Sequence, residues 1–151
     1  MKLQKNTLFA LYSVLESASH PERQLSAGEI ARKYRISPHH LAKVLHTLAR
    51  AGVVASVRGV GGGYHFAGNA KRLTLMEVVQ LFEDPGAPGR AGTAGQGVAP
   101  GRRSAPRRRD DAGVKRAVGT VLAEIDAMAE ATLRSISIAT MLKLIERQRR
   151  S

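Results

Sequence analysis

The chain has 151 residues, with 24 lysines and arginines against 12 aspartates and glutamates, and it contains no cysteine. The lack of cysteine excludes a disulfide framework, a thiolate nucleophile and a cysteine-held zinc or iron–sulfur centre. No apolar run approaches the roughly 20 residues of a membrane span, and no signal-peptide core follows the first residues. We therefore expect a soluble, cytoplasmic protein. Its net charge of +12 favours a polyanionic partner.

The first two predicted helices lie in the N-terminal 34 residues. Leu8, Leu11, Tyr12 and Leu15 recur at helical spacing and predict a helix over 7–19, which Pro21 ends. Ser26 and Glu29 have the spacing of a capping box, which predicts a short helix over 27–34.

A third helix is predicted to follow a short turn at 35–36. Ser37 is suited to the N-cap and Pro38 to the first helical position, where its missing N–H costs nothing. The helix is expected to run to about 51, with Gly52 at its C-terminal end. Its apolar stripe comprises Leu41, Val44, Leu45 and Leu48.

Two short strands, 53–57 and 64–67, are predicted on either side of a glycine-rich tip at 58–63. A nucleotide phosphate loop is the rival interpretation of these glycines, but that loop requires a following helix, and here a strand follows. Thr74 is expected to cap a further helix that ends near 82.

The segment 85–109 has a different composition from the rest of the chain. It carries six arginines, six glycines and four prolines, no acidic residue, and one large apolar side chain, Val98. Because such a segment buries too little apolar surface to offset its ordering entropy, we expect a disordered basic loop over 85–112. Its arginines are equally compatible with a solvated loop and with non-specific contacts to DNA phosphates.

Beyond this loop, apolar residues step by four, three, four and three positions, which predicts a heptad seam on a long helix. The seam residues are Val114, Val118, Val121, Ile125 and Met128. We expect a dimer interface, the alternative being a core stripe covered within the same chain. The sequence at 135–137 breaks the helix, and a last helix is predicted over 138–147.

The predicted elements follow the order of a winged helix-turn-helix domain: helix, short helix, turn, helix and two-stranded wing. In such a domain, the helix after the turn enters the major groove of DNA. The residues predicted to contact DNA from the third helix are Ser37, His39, His40, Lys43, Thr47 and Arg50. Those predicted from the wing are Arg58, Gly59, Gly61, Gly62 and Gly63. The alternative for the helix is an ordinary solvated polar face. No metal site is expected, because no two of the five histidines are spaced i, i+4.

The segments 36–45, 48–54 and 56–64 resemble the bacterial winged-helix regulators that include IscR, NsrR, RirA and CymR. The most specific part is Arg-Gly-Val-Gly-Gly-Gly-Tyr at 58–64. The resemblance covers 1–84 and resumes at the long helix and at 135–138. It implies a homodimer held by the long helix that binds a pseudo-palindromic operator, usually as a repressor of the iron–sulfur, nitric-oxide or redox-responsive type.

The chain departs from that family in the loop before the long helix. Most cluster-binding members carry three cysteines there, and this chain has none. We therefore expect no cofactor in this chain, and an iron–sulfur cluster only in a cysteine-bearing parent. Ala99 and Ala105, each followed by proline, are the positions at which such a parent would carry cysteine.

The expected fold is therefore mainly α with a small β-wing: a winged helix-turn-helix domain over 1–84, the loop over 85–112, and a dimerisation helix with a terminal helix over 113–151. The expected function is a sequence-specific, double-stranded DNA-binding transcriptional regulator. The alternative is an architectural nucleic-acid binder without a specific operator. An enzyme is not expected, because the sequence offers no paired carboxylates in a cleft-like context, no serine–histidine–aspartate motif and no thiol.

Overall fold

A computed structural model describes residues 3–83 and 109–151. The elements in chain order are α1 (Lys5–Ser19), α2 (Ala27–Tyr34), α3 (Pro38–Arg50), β1 (Val54–Val57), β2 (Gly63–Phe66), α4 (Leu75–Glu83), α5 (Arg109–Ser135) and α6 (Ile138–Arg150). This mainly helical fold with a small wing confirms the expected class. The predicted loop at 85–108, with Ala99 and Ala105, lies outside the described residues.

The starts of α2 and α3 and the turn between these helices form as the sequence predicts, with one exception. Ser26 Oγ accepts a hydrogen bond from the backbone N–H of Glu29 at 3.1 Å, which confirms this half of the capping box. Arg35 adopts the left-handed conformation (φ 53°) and reverses the chain after α2. Ser37 occupies the N-cap position of α3, with φ of −57° and ψ of 127°, but its side chain makes no capping hydrogen bond.

The predicted stripe of α3 is confirmed: Leu41, Val44, Leu45 and Leu48 are all buried. The helix predicted over 7–19 is confirmed as α1, but the apolar residues whose spacing indicated it do not form its most deeply buried face. Tyr12 is exposed, Leu11 and Leu15 are half-buried, and the buried face is built on smaller residues. These are Thr7, Ala10, Ser13, Val14, Ser17 and Ala18. Because α1 contacts α2, α3, α4, α6 and β2, small side chains are needed where the elements approach closely.

The wing is wider than the predicted hairpin. β1 and β2 pair antiparallel, in a register that places Val54 opposite Phe66 and Val57 opposite Gly63. Leu25, from the segment before α2, joins this sheet through two backbone hydrogen bonds of 2.8 Å with Tyr64. The wing is therefore fixed directly to the helix-turn-helix.

The C-terminal helix α6 packs into the same core as residues 3–83. Ile138 is fully buried in that core. Its backbone N–H donates to the carbonyl of Leu73 at 2.8 Å, and the backbone N–H of Leu75 donates to the carbonyl of Ile136 at 2.9 Å. The structure thus joins α6 to the winged-helix domain, whereas the sequence grouped it with the dimerisation helix. α5 begins at Arg109, four positions before the expected boundary at 113. Within 3–83 and 109–151, no helix combines the length and apolar character needed to cross a membrane.

Candidate nucleic-acid interface

Helix α3 presents an exposed, mainly polar face because its four large apolar residues, Leu41, Val44, Leu45 and Leu48, are buried in the core. Four of the six residues predicted to contact DNA from this helix are exposed on α3 itself: His39, His40, Lys43 and Arg50. Ser37 is exposed at the N-cap position. Thr47 is half-buried, and its hydroxyl donates to the carbonyl of Lys43 at 3.2 Å, so it offers a partner mainly its acceptor lone pairs.

The exposed histidines of α3 lie side by side at the start of the helix. The ring centroids of His39 and His40 are 6.3 Å apart, with the planes tilted by 44°. Among residues 3–83 and 113–151, no three histidine, aspartate or glutamate side chains are grouped so that they could hold a metal ion. The imidazoles are thus available as hydrogen-bonding groups on the surface.

The wing tip is a tight turn set by two glycines. Gly59 and Gly61 have φ of 108° and 74°, in the region that side-chain-bearing residues rarely adopt. The backbone N–H of Gly62 donates to the carbonyl of Gly59 at 3.0 Å and closes the turn. Arg58 precedes this turn and is exposed to solvent.

Gly62 and Gly63 are glycines for a reason within the fold. A Cβ at Gly62 would lie 2.4 Å from the carbonyl oxygen of Val57, and one at Gly63 would lie 2.6 Å from that of Leu25. Both contacts are with backbone, which cannot move aside cheaply. The lack of a side chain at these positions is therefore required by the wing itself, and their contact with DNA remains a prediction.

A buried carboxylate that the sequence analysis missed joins α1 to α2. Glu16 is nearly buried and accepts hydrogen bonds from Lys33 Nζ at 2.6 Å and from the hydroxyl of Tyr34. Burial raises the pKa of Glu16, but the hydrogen bonds from Lys33 and Tyr34 and the positive charge of Lys33 outweigh it, so the pKa lies below its ordinary value. The pKa of Tyr34 is raised, first by burial and then by the Glu16 carboxylate.

Aromatic packing reinforces the same junction. The rings of Tyr12 and Tyr34 stack with centroids 5.0 Å apart, and Lys33 Nζ lies 5.7 Å from the centre of the Tyr34 ring. Helix α2, which precedes α3, is thereby fixed in orientation. The only sequence signal for this arrangement is a glutamate in an otherwise apolar or small stretch of α1.

The heptad seam of α5 lies on one side of the helix and stays exposed to solvent in the part of the chain that the structure describes. Its side chains are exposed by 49% (Ile125) to 70% (Met128), and Leu122, which the heptad pattern omitted, is exposed by 56% on the same side. In the described part of the chain, the alternative of an intramolecular core stripe is therefore wrong. The predicted seam residues Val114, Val118, Val121, Ile125 and Met128 form an apolar strip, which with Leu122 we call the α5 face.

Comparison with known proteins agrees with this architecture. The family model described as "Rrf2: Iron-dependent Transcriptional regulator" matches residues 3–144. A Rhodopseudomonas palustris protein named as a candidate HTH-type transcriptional regulator, BadM, is 49% identical over 150 residues, covering 99% of this chain and 86% of its own. These matches confirm the resemblance found in the sequence.

Solved structures share the fold at low sequence identity. IscR of T. potens superposes with a TM-score of 0.69 at 22% identity, covering 98% of this chain and 90% of its own. CymR of B. subtilis superposes with a TM-score of 0.61 at 19% identity, covering 95% of this chain and 98% of its own. At such identities the likeness establishes the winged-helix fold and nothing finer.

Proposed function

The chain belongs to the Rrf2 family and is a DNA-binding transcription regulator, and on that premise we propose that it acts as a homodimeric repressor of a specific, pseudo-palindromic operator. The observation that carries this proposal is the uncovered polar face of α3, which is held on a rigid core and linked directly to a basic wing. A helix of this kind, about 10–12 Å wide, fits the major groove.

In the proposed docking, α3 contacts base edges in the major groove, and the wing contacts the minor groove or the backbone. His39, His40 and Lys43 approach base edges from the N-terminal part of α3, with Thr47 and Arg50 one to two turns further on. Ser37 and the free N–H groups beside it face a phosphate. Arg58 and the wing glycines contact the minor groove or the sugar–phosphate backbone, where a narrow groove concentrates negative potential.

The α5 face supports the homodimer. Monomeric proteins rarely leave a strip of six large apolar side chains open to water, and a 3,4-spaced strip is the pattern that a second helix of the same kind covers. Two copies related by a two-fold axis would place their α3 helices in successive major grooves, about 34 Å apart. The proposed assembly has a winged-helix part within 1–84, a connecting segment that ends where α5 begins at Arg109, and the C-terminal helices, of which α6 packs back into the first part.

The side chains of this chain do not fit the iron that the family description names. The chain has no cysteine, and the segment 85–108 contains no histidine, aspartate or glutamate either. The described side chains of 3–83 and 113–151 do not group three metal-ligating residues. We derive no regulatory step through iron or an iron–sulfur cluster, which stays a hypothesis for a parent with cysteines at 99 and 105.

The same family assignment favours a cytoplasmic, non-enzymatic protein with no membrane partner, since the family is one of transcriptional regulators. Repression, rather than activation, is proposed from the resemblance at 36–64. A reporter with the operator placed over the promoter should show lower expression when the protein is present. Higher expression would identify an activator.

Sequence-specific binding is tested with 40-base-pair duplexes that the wild-type protein selects from a random pool. Fluorescence anisotropy at physiological salt should show affinity for a selected duplex about 10³-fold or more above that for random DNA. A ratio near one would favour the architectural alternative. Lys43→Ala should weaken binding to the selected duplex about tenfold or more, whereas Lys143→Ala, an exposed lysine on α6, should not.

Arg58→Ala tests the wing separately. Because Arg58 is proposed to approach phosphates and the minor groove, its removal should weaken binding to all duplexes and reduce the salt dependence of the affinity by about one counterion per wing. If neither Lys43→Ala nor Arg58→Ala changes the titration, the docking scheme is wrong.

A further inference from the structure

The outermost side chain of the wing is apolar. Val60 has a relative exposure of 111%, the highest of the large apolar side chains that the structure describes as exposed. It lies between the two positive-φ glycines of the turn, Gly59 and Gly61, so the backbone projects it away from both strands. Nothing in the fold requires an apolar residue here, because no part of the described chain covers it.

The surroundings of Val60 match the surface of DNA. Arg58 is its exposed neighbour two residues away, and the wing from 54 to 66 contains no carboxylate. The turn is closed by the Gly62 to Gly59 hydrogen bond and anchored by Leu25, so the tip is presented in a defined geometry. A branched side chain with one torsion also loses little entropy when it is fixed against a surface.

We propose that Val60 inserts between the deoxyribose walls of the minor groove and makes an apolar contact with the sugars, beside the cationic contact of Arg58. The proposal rests on the proposed docking of the wing on DNA and deepens it. The minor groove is about 6 Å wide and is walled by C–H groups of the sugars, which a valine can touch on both sides. Such a contact adds affinity without releasing counterions, and it favours sequences whose groove is narrow.

The experiment compares Val60→Ala, Val60→Ser and Val60→Ile on a selected 40-base-pair duplex from 50 to 200 mM salt. Removing two methyl groups from a half-covered contact should weaken binding about fourfold per wing, or about 15-fold for a dimer. The salt dependence should not change, in contrast to Arg58→Ala. Val60→Ile should retain wild-type affinity, and Val60→Ser should lose at least as much as Val60→Ala.

Hydroxyl-radical footprinting gives a direct readout, since the radical abstracts sugar hydrogens that line the minor groove. The wild-type protein should protect a short run of sugars beneath each wing, and Val60→Ser should protect those sugars less at a protein concentration that saturates the duplex. Because Val60 makes no contact in the fold, the thermal midpoint should be unchanged and a folding defect cannot account for the loss.

The outcomes separate this proposal from the docking scheme. If Lys43→Ala and Arg58→Ala weaken binding but Val60→Ser binds and protects like the wild type, the valine contact is refuted and the docking scheme stands. If Val60→Ser changes the salt dependence instead, the residue acts through phosphate contacts and the apolar contact is refuted. If none of the variants weakens binding, both proposals fail.

Discussion

Truncation of Ile125 should weaken the dimer by an amount that follows from its exposure. The side chain is 49% exposed in the single chain, so about half of it is free to be buried by a partner. Ile125→Ala removes three carbon groups, worth about 0.8 kcal/mol each when fully buried, and thus about 1.2 kcal/mol at half burial. A two-fold dimer contains the change twice, so the loss is about 2.4 kcal/mol, or about 50-fold in the dimer dissociation constant.

Sedimentation equilibrium over a range of concentrations measures this constant directly. Arg116→Ala is the matched control, because nine residues place Arg116 on the opposite side of α5, where an exposed side chain is also shortened. Ile125→Lys should give a monomer, since a dimer would bury two unpaired ammonium groups. If the wild type is monomeric at micromolar concentration, or if Ile125→Lys dissociates no more readily than the Arg116→Ala control, the α5 face is not the dimer interface.

Two predictions concern folding. Glu16→Gln should lower the free energy of unfolding at pH 7 by about 1–2 kcal/mol, less than for a fully buried ion pair, because Lys33 is 49% exposed and can return to water. Since the folded-state pKa of Glu16 is lowered, its contribution is complete above the unfolded pKa and is lost as the pH falls through the folded one. Urea unfolding should therefore show that the loss of unfolding free energy in Glu16→Gln, relative to wild type, is smaller at pH 3 than at pH 7. Glu146→Gln, at an exposed position, is the control. A loss that is larger at pH 3 would contradict the lowered pKa of Glu16. Gly63→Ala should destabilise by about 1–3 kcal/mol because its Cβ would meet the backbone of Leu25, whereas Gly119→Ala, with open space around it on α5, should be neutral or stabilising. Thermal unfolding compares these two variants, and equal midpoints would show that the wing tolerates a side chain at 63.

Several features of the fold could be predicted because the interactions that determine them are local. The stripe of α3 follows from residues three and four positions apart, and the start of α2 from a serine and a glutamate three apart. Glycines between two predicted strands indicate a tight turn, and Gly59 and Gly61 at the wing tip do adopt positive φ. The polar face of α3 is the complement of its apolar stripe, so the candidate DNA-contacting residues also followed.

Other features depend on contacts between residues far apart in the chain. Glu83 accepts hydrogen bonds from Thr7 Oγ1 and from the backbone N–H of Gln4 at 2.8 Å, which ties the end of α4 to the start of α1. These partners lie 76 and 79 positions from Glu83, so no periodicity reveals them. The buried face of α1 likewise depends on which elements surround it, and its largest apolar residues are not the most deeply buried.

By itself, the sequence determined the order of the helix-turn-helix and wing, the polar face of α3, the α5 face and the absence of cysteine chemistry. Each of these follows from short-range residue spacing or from composition. Only the tertiary structure decided that α6 completes the core through Ile138, that Leu25 and Gly63 hold the wing, and that Glu16 fixes α2. Those assignments rest on close packing and on the pairing of buried polar groups. Both are properties of neighbours brought together by folding rather than by position along the chain.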